Sequence, residues 1–349
     1  MSSQPAEKGL VSLISHLESL APADGSRKEL FSSVIPAVID AVGDIAKALQ
    51  KAHRVVLAGS ANTFGDDQLN VDVESEKILR DTFAAKCPSV VTASSEEDPV
   101  EKPVHASSCG GGGGGAPRGE GEVYTIGFDP LDGSSIIAPN WTVGTILGVW
   151  DGETAVGQHA ATRQIASVLG VYGPRTTAYV AVRIPGGPAP VCFEVGLGGE
   201  GGLDGARGAS VLRPSVRLAG APFRTRYFAP ANLRAAGQDE RYMALVGRYI
   251  REGYTLRYSG GLVPDVVHAL VKGHGVYVSP VSGASKAKLR RLFELFPVAL
   301  VLECAGGSAV DPAHGGRILD AVLGGTDERA GLVCGTAEEV DAVVKELVG

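Results

Sequence analysis

The chain has 349 residues, of which 44% are hydrophobic and 20% are charged, as in an ordinary globular protein. Its formal net charge of −7 argues against a surface for nucleic acid or anionic membrane, and no apolar run approaches the roughly 18 residues of a membrane span. Five cysteines without CxxC spacing predict neither a disulfide framework nor a zinc site. At this length we expect two packed lobes rather than one small domain.

The N-terminal half alternates helix and strand patterns, as in a layered α/β fold. We predict helices at 9–20 and 28–50 and one ending at Pro88, and strands at 55–57, 90–93 and 123–128. The strand at 90–93 runs into Ser94-Ser95-Glu96-Glu97-Asp98. An acidic run of this kind is most often a solvated turn.

The most informative stretch runs from Glu122 to Ser135. Asp129-Pro130 is expected to end the pairing of the preceding strand, because proline lacks an N–H and fixes φ. Asp129 and Asp132 then lie at a strand end, followed by the glycine and serines of 133–135, which offer backbone N–H groups and helix caps. This combination suits a divalent cation that bridges to a phosphate.

The ends of neighbouring strands in such a fold often converge on one edge. We therefore expect Glu96 and Glu97 to lie close to Asp129 and Asp132. The six glycines Gly110 to Gly115 follow a loop and precede a strand, which is the wrong context for a dinucleotide-binding loop. They predict a flexible insertion over 107–121.

The C-terminal part carries a second group of candidate residues. Residues 283–297 predict a helix with Ser285 as its N-cap and Pro297 as its end. Arg290 and Glu294, one turn apart, would share a face of that helix. Taken alone, they could be a surface ion pair worth only a few tenths of a kcal/mol.

These motifs resemble those of the lithium-sensitive sugar- and inositol-phosphatase superfamily, most closely its sugar-bisphosphatase branch. The resemblance covers about residues 28–345. It is carried by the runs at 65–68, 95–97, 129–135 and 288–297. It implies an α/β fold, a layered α/β/α/β/α sandwich, assembled as a homodimer. A first lobe, 1–215, would carry most metal ligands, and a second, 216–349, the sugar-phosphate clamp.

The resemblance also implies residue roles in a Mg²⁺-dependent phosphatase with two or three ions per site. The implied metal ligands are Glu96, Glu97, Asp129, Leu131 through its carbonyl, Asp132 and Glu294. Asp66 or Asp67, with Glu96, would orient and deprotonate the attacking water. The implied substrate-binding residues are Asp132, Gly133, Ser134, Asn232, Arg257, Tyr258, Lys288 and Arg290. Arg257 is expected to reach the site of a neighbouring subunit.

Within this branch the chain is most similar to enzymes acting on a seven-carbon sugar, on the stretches 171–177, 231–234 and 254–265. It also lacks the tyrosine that fructose-specific members carry near Ser279. The resemblance thus implies hydrolysis of the C1 phosphate of sedoheptulose 1,7-bisphosphate, in carbon metabolism of the Calvin-cycle type. The alternatives are a fructose-1,6- or dual-specificity bisphosphatase, an inositol-monophosphatase-like enzyme, and a non-catalytic sugar-phosphate sensor.

Two expectations concern compartment and redox control. The N-terminus lacks the apolar core of a signal peptide, so we expect an intracellular protein, in the cytoplasm or in an organelle after loss of a presequence. Plant plastid relatives carry a cysteine pair just before the Gly-Asp loop. The matching stretch 58–63 has no cysteine, so we expect no thioredoxin-type activation through that disulfide.

Overall fold

The computed structural model describes residues 10–61, 67–105, 121–198, 205–283 and 286–349. The predictions that fall on Gly110–Gly115, on Asp66 and on Ser285 therefore concern residues outside the described part of the chain.

A large mixed sheet organises the first part of the chain. Its nine strands within the described residues are, in spatial order, β1 (Val11–Ser12), β11 (Ser210–Arg213), β10 (Val191–Leu197), β9 (Thr176–Val182), β8 (Gln164–Tyr172), β7 (Val143–Asp151), β6 (Tyr124–Asp132), β4 (Val90–Ser95) and β5 (Lys102–Pro103). Neighbours are antiparallel except β4 and β6, which run parallel. Both faces are buried: on β7, Leu147 and Val149 join one apolar cluster, and Ile146 and Trp150 the other.

The second sheet is smaller. Its strands are, in spatial order, β13 (Thr255–Leu256), β12 (Tyr227–Pro230), β14 (Val276–Ser279), β18 (Leu332–Gly335) and β16 (Ser308–Val310). Two further pairs are β2 (Leu57–Ala61) with β3 (Asp67–Leu69), and β15 (Leu289–Arg290) with β17 (Arg329–Ala330).

The helices lie in three layers around these sheets. They are α1 (Leu13–Leu20), α2 (Ile35–Lys51), α3 (Asn70–Lys86), α4 (Ser134–Ile137), α5 (Ala160–Arg163), α6 (Gly205–Gly208), α7 (Glu240–Arg251), α8 (Leu262–Lys272), α9 (Phe296–Cys304) and α10 (Ala337–Leu347). Short 3₁₀ helices span Leu233–Gly237 and Ile318–Asp320.

The apolar clusters define the order of the layers. Helices α1, α2 and α3 pack on one face of the large sheet. Helices α8 and α9 fill the space between the two sheets, and α9 is apolar on every side except at Glu303 near its end, as expected for a helix covered by two sheets. Helices α7 and α10 cover the outer face of the small sheet. The predicted α/β/α/β/α sandwich is therefore confirmed, whereas the lobe boundary near residue 215 remains a proposal.

The predicted helix at 283–297 is wrong in its bounds. Residues 289–290 are extended, and the helical run begins with a π turn, Arg291–Leu295, that continues into α9 through Pro297. In this turn the N–H of Phe296 donates to the carbonyl of Arg291, five residues back. The wider turn accommodates a proline whose ring would clash with the carbonyl four residues earlier in a regular helix. The same device, a π turn at Leu30–Val34, precedes Pro36 in α2.

The expectation that pairing ends at Asp129-Pro130 is also wrong. Strand β6 continues to Asp132 through a bulge, in which Asp129 pairs with Ile146 and Asp132 with Gly144. Residues 129–132 are called the β6 bulge below. The serines at 134–135 do not cap the next helix, because they lie inside α4, and Gly133 precedes it with a φ of +95°.

Candidate active site

The site lies where β4 ends beside β6, next to the β6 bulge. Because these strands are parallel, their carboxyl ends meet at the same edge of the sheet. The N–H of Glu96 donates to the carbonyl of Phe128 at 3.0 Å, which extends the ladder to the residue before Asp129. The predicted convergence of Glu96 with Asp129 follows from this register.

Three carboxylates from distant parts of the sequence meet at this edge. Oxygens of Glu96, Asp129 and Glu294 all lie within 4.8 Å of one another, and we call these residues the acidic cluster. Glu294 comes from the π turn that precedes α9. That turn approaches β6 closely because Gly127 has no side chain, and a Cβ there would lie 2.9 Å from Leu292.

Burial disfavours the negatively charged forms of the carboxylates in the acidic cluster. It raises the pKa of Asp129 and of Glu294 well above their ordinary values, and the charge of Glu96 raises both further. Arg290 supplies positive charge beside them. Its guanidinium pairs with Glu96, and its backbone N–H donates to the Glu294 carboxylate at 2.5 Å. A group of closely spaced carboxylate oxygens is the donor set that suits a hard divalent cation such as Mg²⁺.

Two of the predicted carboxylate ligands, and the predicted carbonyl ligand Leu131, lie outside this cluster. Asp132 accepts hydrogen bonds from the backbone N–H groups of Leu262, at 3.1 Å, and Val263, at 2.7 Å, so it caps the start of α8. Glu97 accepts a hydrogen bond from the side chain of Gln68. Burial raises the pKa of Asp132 and of Glu97 to about 7 each. For Leu131, the structure places the residue in the β6 bulge, and its N–H donates to Asp129 at 3.0 Å.

One acidic residue that the sequence reasoning did not select lies beside this group. Asp72, in the first turn of α3, is 4% exposed, and one of its oxygens accepts from the N–H of Leu69 at 2.9 Å. The other is buried and has no hydrogen-bond partner among the described residues. Burial raises the pKa of Asp72 to about 6, with a further contribution from Glu96. The sequence did offer a signal for Asp72: it is a carboxylate at the third position of a helix that follows a loop rich in acidic residues.

The predicted activators of water are only partly visible. Asp66 lies outside the described residues, and of Asp67 only the backbone is described, paired with Ala61 across the hairpin of β2 and β3.

Four of the predicted substrate-binding residues lie in loops of the C-terminal part. Lys288 is exposed, Arg257 is exposed and donates to the carbonyl of Leu256, and Tyr258 is 43% exposed. Asn232 has a left-handed backbone and donates to the carbonyl of Pro280 at 3.1 Å.

The other residues predicted to bind phosphate are Arg290, Gly133 and Ser134. Arg290 is buried and faces the acidic cluster. Gly133 and Ser134 follow the β6 bulge, with the side chain of Ser134 exposed.

Two general findings concern the whole described chain. Cys87, Cys192, Cys304 and Cys334 are buried free thiols. Among the described residues, every helix is too short or too polar to cross a bilayer.

Comparison with known proteins gives consistent matches along the chain. A family model described as the N-terminal domain of fructose-1-6-bisphosphatase matches residues 15–187, and one for its C-terminal domain matches residues 221–347. A chloroplastic sedoheptulose-1,7-bisphosphatase of Triticum aestivum is 36% identical over 290 residues, which are 82% of this chain and 66% of that protein. This chain thus spans about two thirds of the length of that relative.

A second relative and a solved structure extend the comparison. A class 1 fructose-1,6-bisphosphatase of Syntrophotalea carbinolica is 33% identical over 291 residues, 82% of this chain and 79% of that protein. A crystal structure of a Toxoplasma gondii protein, provisionally named a sedoheptulose-1,7 bisphosphatase, is 34% identical. It superposes with a TM-score of 0.82 and covers 97% of this chain and 99% of its own.

Proposed function

The chain belongs to the fructose-1,6-bisphosphatase family, a family of phosphoric monoester hydrolases, and we propose that it releases the C1 phosphate of sedoheptulose 1,7-bisphosphate. The products are sedoheptulose 7-phosphate and phosphate. The observation that carries this proposal is the acidic cluster, in which Glu96, Asp129 and Glu294 meet at the β6 bulge. A non-catalytic sensor would not need three carboxylates, two of them buried, held together beside an arginine.

The donor set at this site fits Mg²⁺, because every candidate ligand offers oxygen. We assign two or three ions to Glu96, Glu97, Asp129, the Leu131 carbonyl, Asp132 and Glu294. When bound, Mg²⁺ lowers the pKa of a coordinated water and offsets the negative charge of the phosphate.

The chain's own carboxylates would handle the proton of the attacking water. Asp72 is suited to this role, because its buried second oxygen has no hydrogen-bond partner among the described residues and its pKa is raised to about 6. Asp66 or Asp67, together with Glu96, is the assignment that the family resemblance supports. Gly133 and Ser134 would hold the reacting phosphate through their backbone N–H groups.

The second phosphate and the sugar would lie against the C-terminal loops. Lys288 and Arg290 provide the positive charge for the distal phosphate, and Asn232 and Tyr258 the hydrogen bonds to the sugar. We assign Arg257 to the site of a neighbouring subunit in a homodimer.

The choice between the seven-carbon and the six-carbon substrate rests on small differences in sequence. The Triticum aestivum sedoheptulose enzyme is 36% identical to this chain, against 33% for the class 1 fructose enzyme. The chain lacks the tyrosine that the resemblance implies near Ser279, at the end of β14, and we expect its absence to leave room for an additional hydroxymethylene unit. Extra room discriminates weakly between substrates, so we expect measurable residual activity on fructose 1,6-bisphosphate.

A panel of substrates tests this proposal. Phosphate release would be measured for sedoheptulose 1,7-bisphosphate, fructose 1,6-bisphosphate and inositol 1-phosphate, with and without Mg²⁺. We expect Mg²⁺-dependent release, a higher kcat/KM for the seven-carbon substrate, and a product that retains its C7 phosphate by ³¹P NMR. A ratio that favours fructose would replace the substrate assignment, and activity limited to inositol 1-phosphate would overturn it.

Two lysines of one segment provide a matched control for the clamp. Lys286 and Lys288 are both exposed and lie two residues apart. Lys288→Ala should raise KM for the bisphosphate, whereas Lys286→Ala should leave it unchanged. Equal effects of the two variants would argue against a specific phosphate contact.

A further inference from the structure

The β6 bulge is tied to the neighbouring strand by a buried pair of hydroxyl groups. Thr145, on β7, lies between the two residues that pair with Asp129 and Asp132, directly opposite the β6 bulge. Its hydroxyl donates to the carbonyl of Pro130 at 2.8 Å, and the hydroxyl of Tyr172, on β8, lies 2.7 Å from it. Thr145 is 1% exposed and Tyr172 is 7% exposed.

The chemistry of these groups fixes the direction of both hydrogen bonds. A carbonyl oxygen can only accept, so the single proton of Thr145 is committed to Pro130. The bond between the two hydroxyls must then be donated by Tyr172. Burial raises the pKa of Tyr172 far above neutrality, which keeps its phenol protonated for this purpose. The chain of bonds therefore runs from Tyr172 to Thr145 to Pro130.

This arrangement compensates for a weak point in the strand. Pro130 has no N–H to donate, and the N–H of Leu131 is directed back to the carboxylate of Asp129. Between the ladder pairs at Asp129 and Asp132, the hydroxyl of Thr145 thus provides the bond from β7 to the β6 bulge. Without the hydroxyl of Thr145, the buried carbonyl of Pro130 would lose its donor, and the β6 bulge could rotate away from its present orientation.

We propose that Thr145 and Tyr172 are positioning residues that orient the β6 bulge toward the metal. They would fix Asp129, the Leu131 carbonyl and Asp132 in the orientation that binds Mg²⁺. The inference rests on the proposed function for its setting, but it concerns metal affinity and can be measured without turnover. Loss of such a supporting hydrogen bond typically weakens metal binding by about 10- to 100-fold.

The test compares four variants of the full chain by titration calorimetry with Mg²⁺ and by electron paramagnetic resonance with Mn²⁺. Thr145→Val removes the hydroxyl while keeping the shape of the side chain, and we expect about a 10- to 100-fold loss of affinity. Thr145→Ser restores the hydroxyl and should bind nearly as the parent chain does. Tyr172→Phe leaves the bond from Thr145 to Pro130 intact, so its loss should be smaller than that of Thr145→Val.

Thr125→Val is the matched control. Thr125 is a fully buried threonine of β6, the strand that carries Asp129, and its hydroxyl donates to the carbonyl of Gly152 at 2.9 Å. It precedes Asp129 by four residues, about 13 Å along the strand. This variant should lower the Tm much as Thr145→Val does, while its Mg²⁺ affinity and its KM for Mg²⁺ stay unchanged.

The outcomes separate this inference from the proposed function. Parental Mg²⁺ affinity in Thr145→Val, or an equal loss in Thr125→Val, would overturn it, as would a larger loss in Tyr172→Phe than in Thr145→Val. If Thr145→Val does not fold, the Mg²⁺ affinities of the other two variants decide. The inference then requires weaker Mg²⁺ binding in Tyr172→Phe than in Thr145→Ser, and the reverse order would overturn it. If the parent chain binds Mg²⁺ with the expected variant order but releases no phosphate, the proposed function fails and the positioning role stands.

Discussion

Asp132 joins two parts of the molecule, so its replacement by asparagine should affect stability and turnover together. Its carboxylate accepts from the N–H groups of Leu262 and Val263, at the first turn of a helix in the central layer. An asparagine keeps one acceptor oxygen but places an NH₂ group against one of these donors. Loss of such a helix cap costs about 0.5–2 kcal/mol of unfolding free energy.

The loss of turnover should be much larger than this loss of stability. Removal of a carboxylate charge from the assigned metal site should reduce phosphate release by at least about 100-fold, given the 10- to 100-fold cost of even a supporting contact. Phosphate release would be measured at saturating Mg²⁺, and unfolding free energy by urea denaturation. Near-parental release by Asp132→Asn at saturating Mg²⁺ would refute the assignment of Asp132 to the site.

Asp265→Asn provides the control for the stability term. Asp265 lies in the first turn of α8 and accepts from the N–H groups of Ser259, at 2.6 Å, and Gly260, at 3.2 Å. Its loss should destabilise the chain by a similar amount without changing the affinity for Mg²⁺. If Asp132→Asn and Asp265→Asn weaken Mg²⁺ binding equally, the effect of Asp132 is transmitted through the helix and not through the metal.

Three further predictions concern pH, packing and redox control. Because burial raises the pKa of Asp132 and Glu97 to about 7, the folded metal-free chain binds more protons than the unfolded chain above about pH 4. Its Tm should therefore fall as the pH rises toward 7, and Mg²⁺ should raise the Tm more at pH 8 than at pH 5. Gly144→Ala places a Cβ 2.5 Å from that of Val263 and should cost about 1–3 kcal/mol in urea denaturation. Reduced thioredoxin should not increase phosphate release, and a large increase would contradict the expectation drawn from residues 58–63.

The parts of the fold that depend on periodic patterns could be predicted from the sequence. The alternation of helices and strands indicated a layered α/β fold, and the family resemblance specified the order of its layers. The meeting of Glu96 with Asp129 was predictable because both residues were expected at the ends of strands, and the two strands proved to be neighbours. The resemblance to the sugar-bisphosphatase branch is confirmed by family matches at both ends of the chain.

The errors arose where a side chain or a wider turn compensates for proline. At Pro130, the hydroxyl of Thr145 supplies a donor from fifteen residues away, and the strand continues. At Pro297, the preceding π turn avoids the clash that would end a regular helix. Local rules for proline assume that nothing outside the local backbone replaces the missing hydrogen bond or relieves the clash of the ring. These two exceptions depend on tertiary contacts that a local pattern does not contain.

The shifted start of the second motif changes the meaning of Arg290 and Glu294. On a continuous helix they would be surface neighbours one turn apart, with little energetic weight. Because Arg290 is extended, its N–H meets the Glu294 carboxylate and its guanidinium reaches Glu96 instead. The proposed phosphate clamp and the acidic cluster therefore share one cation. A distal phosphate that binds Arg290 must compete with Glu96 for the same planar donors, so metal binding and substrate binding should be linked through this side chain.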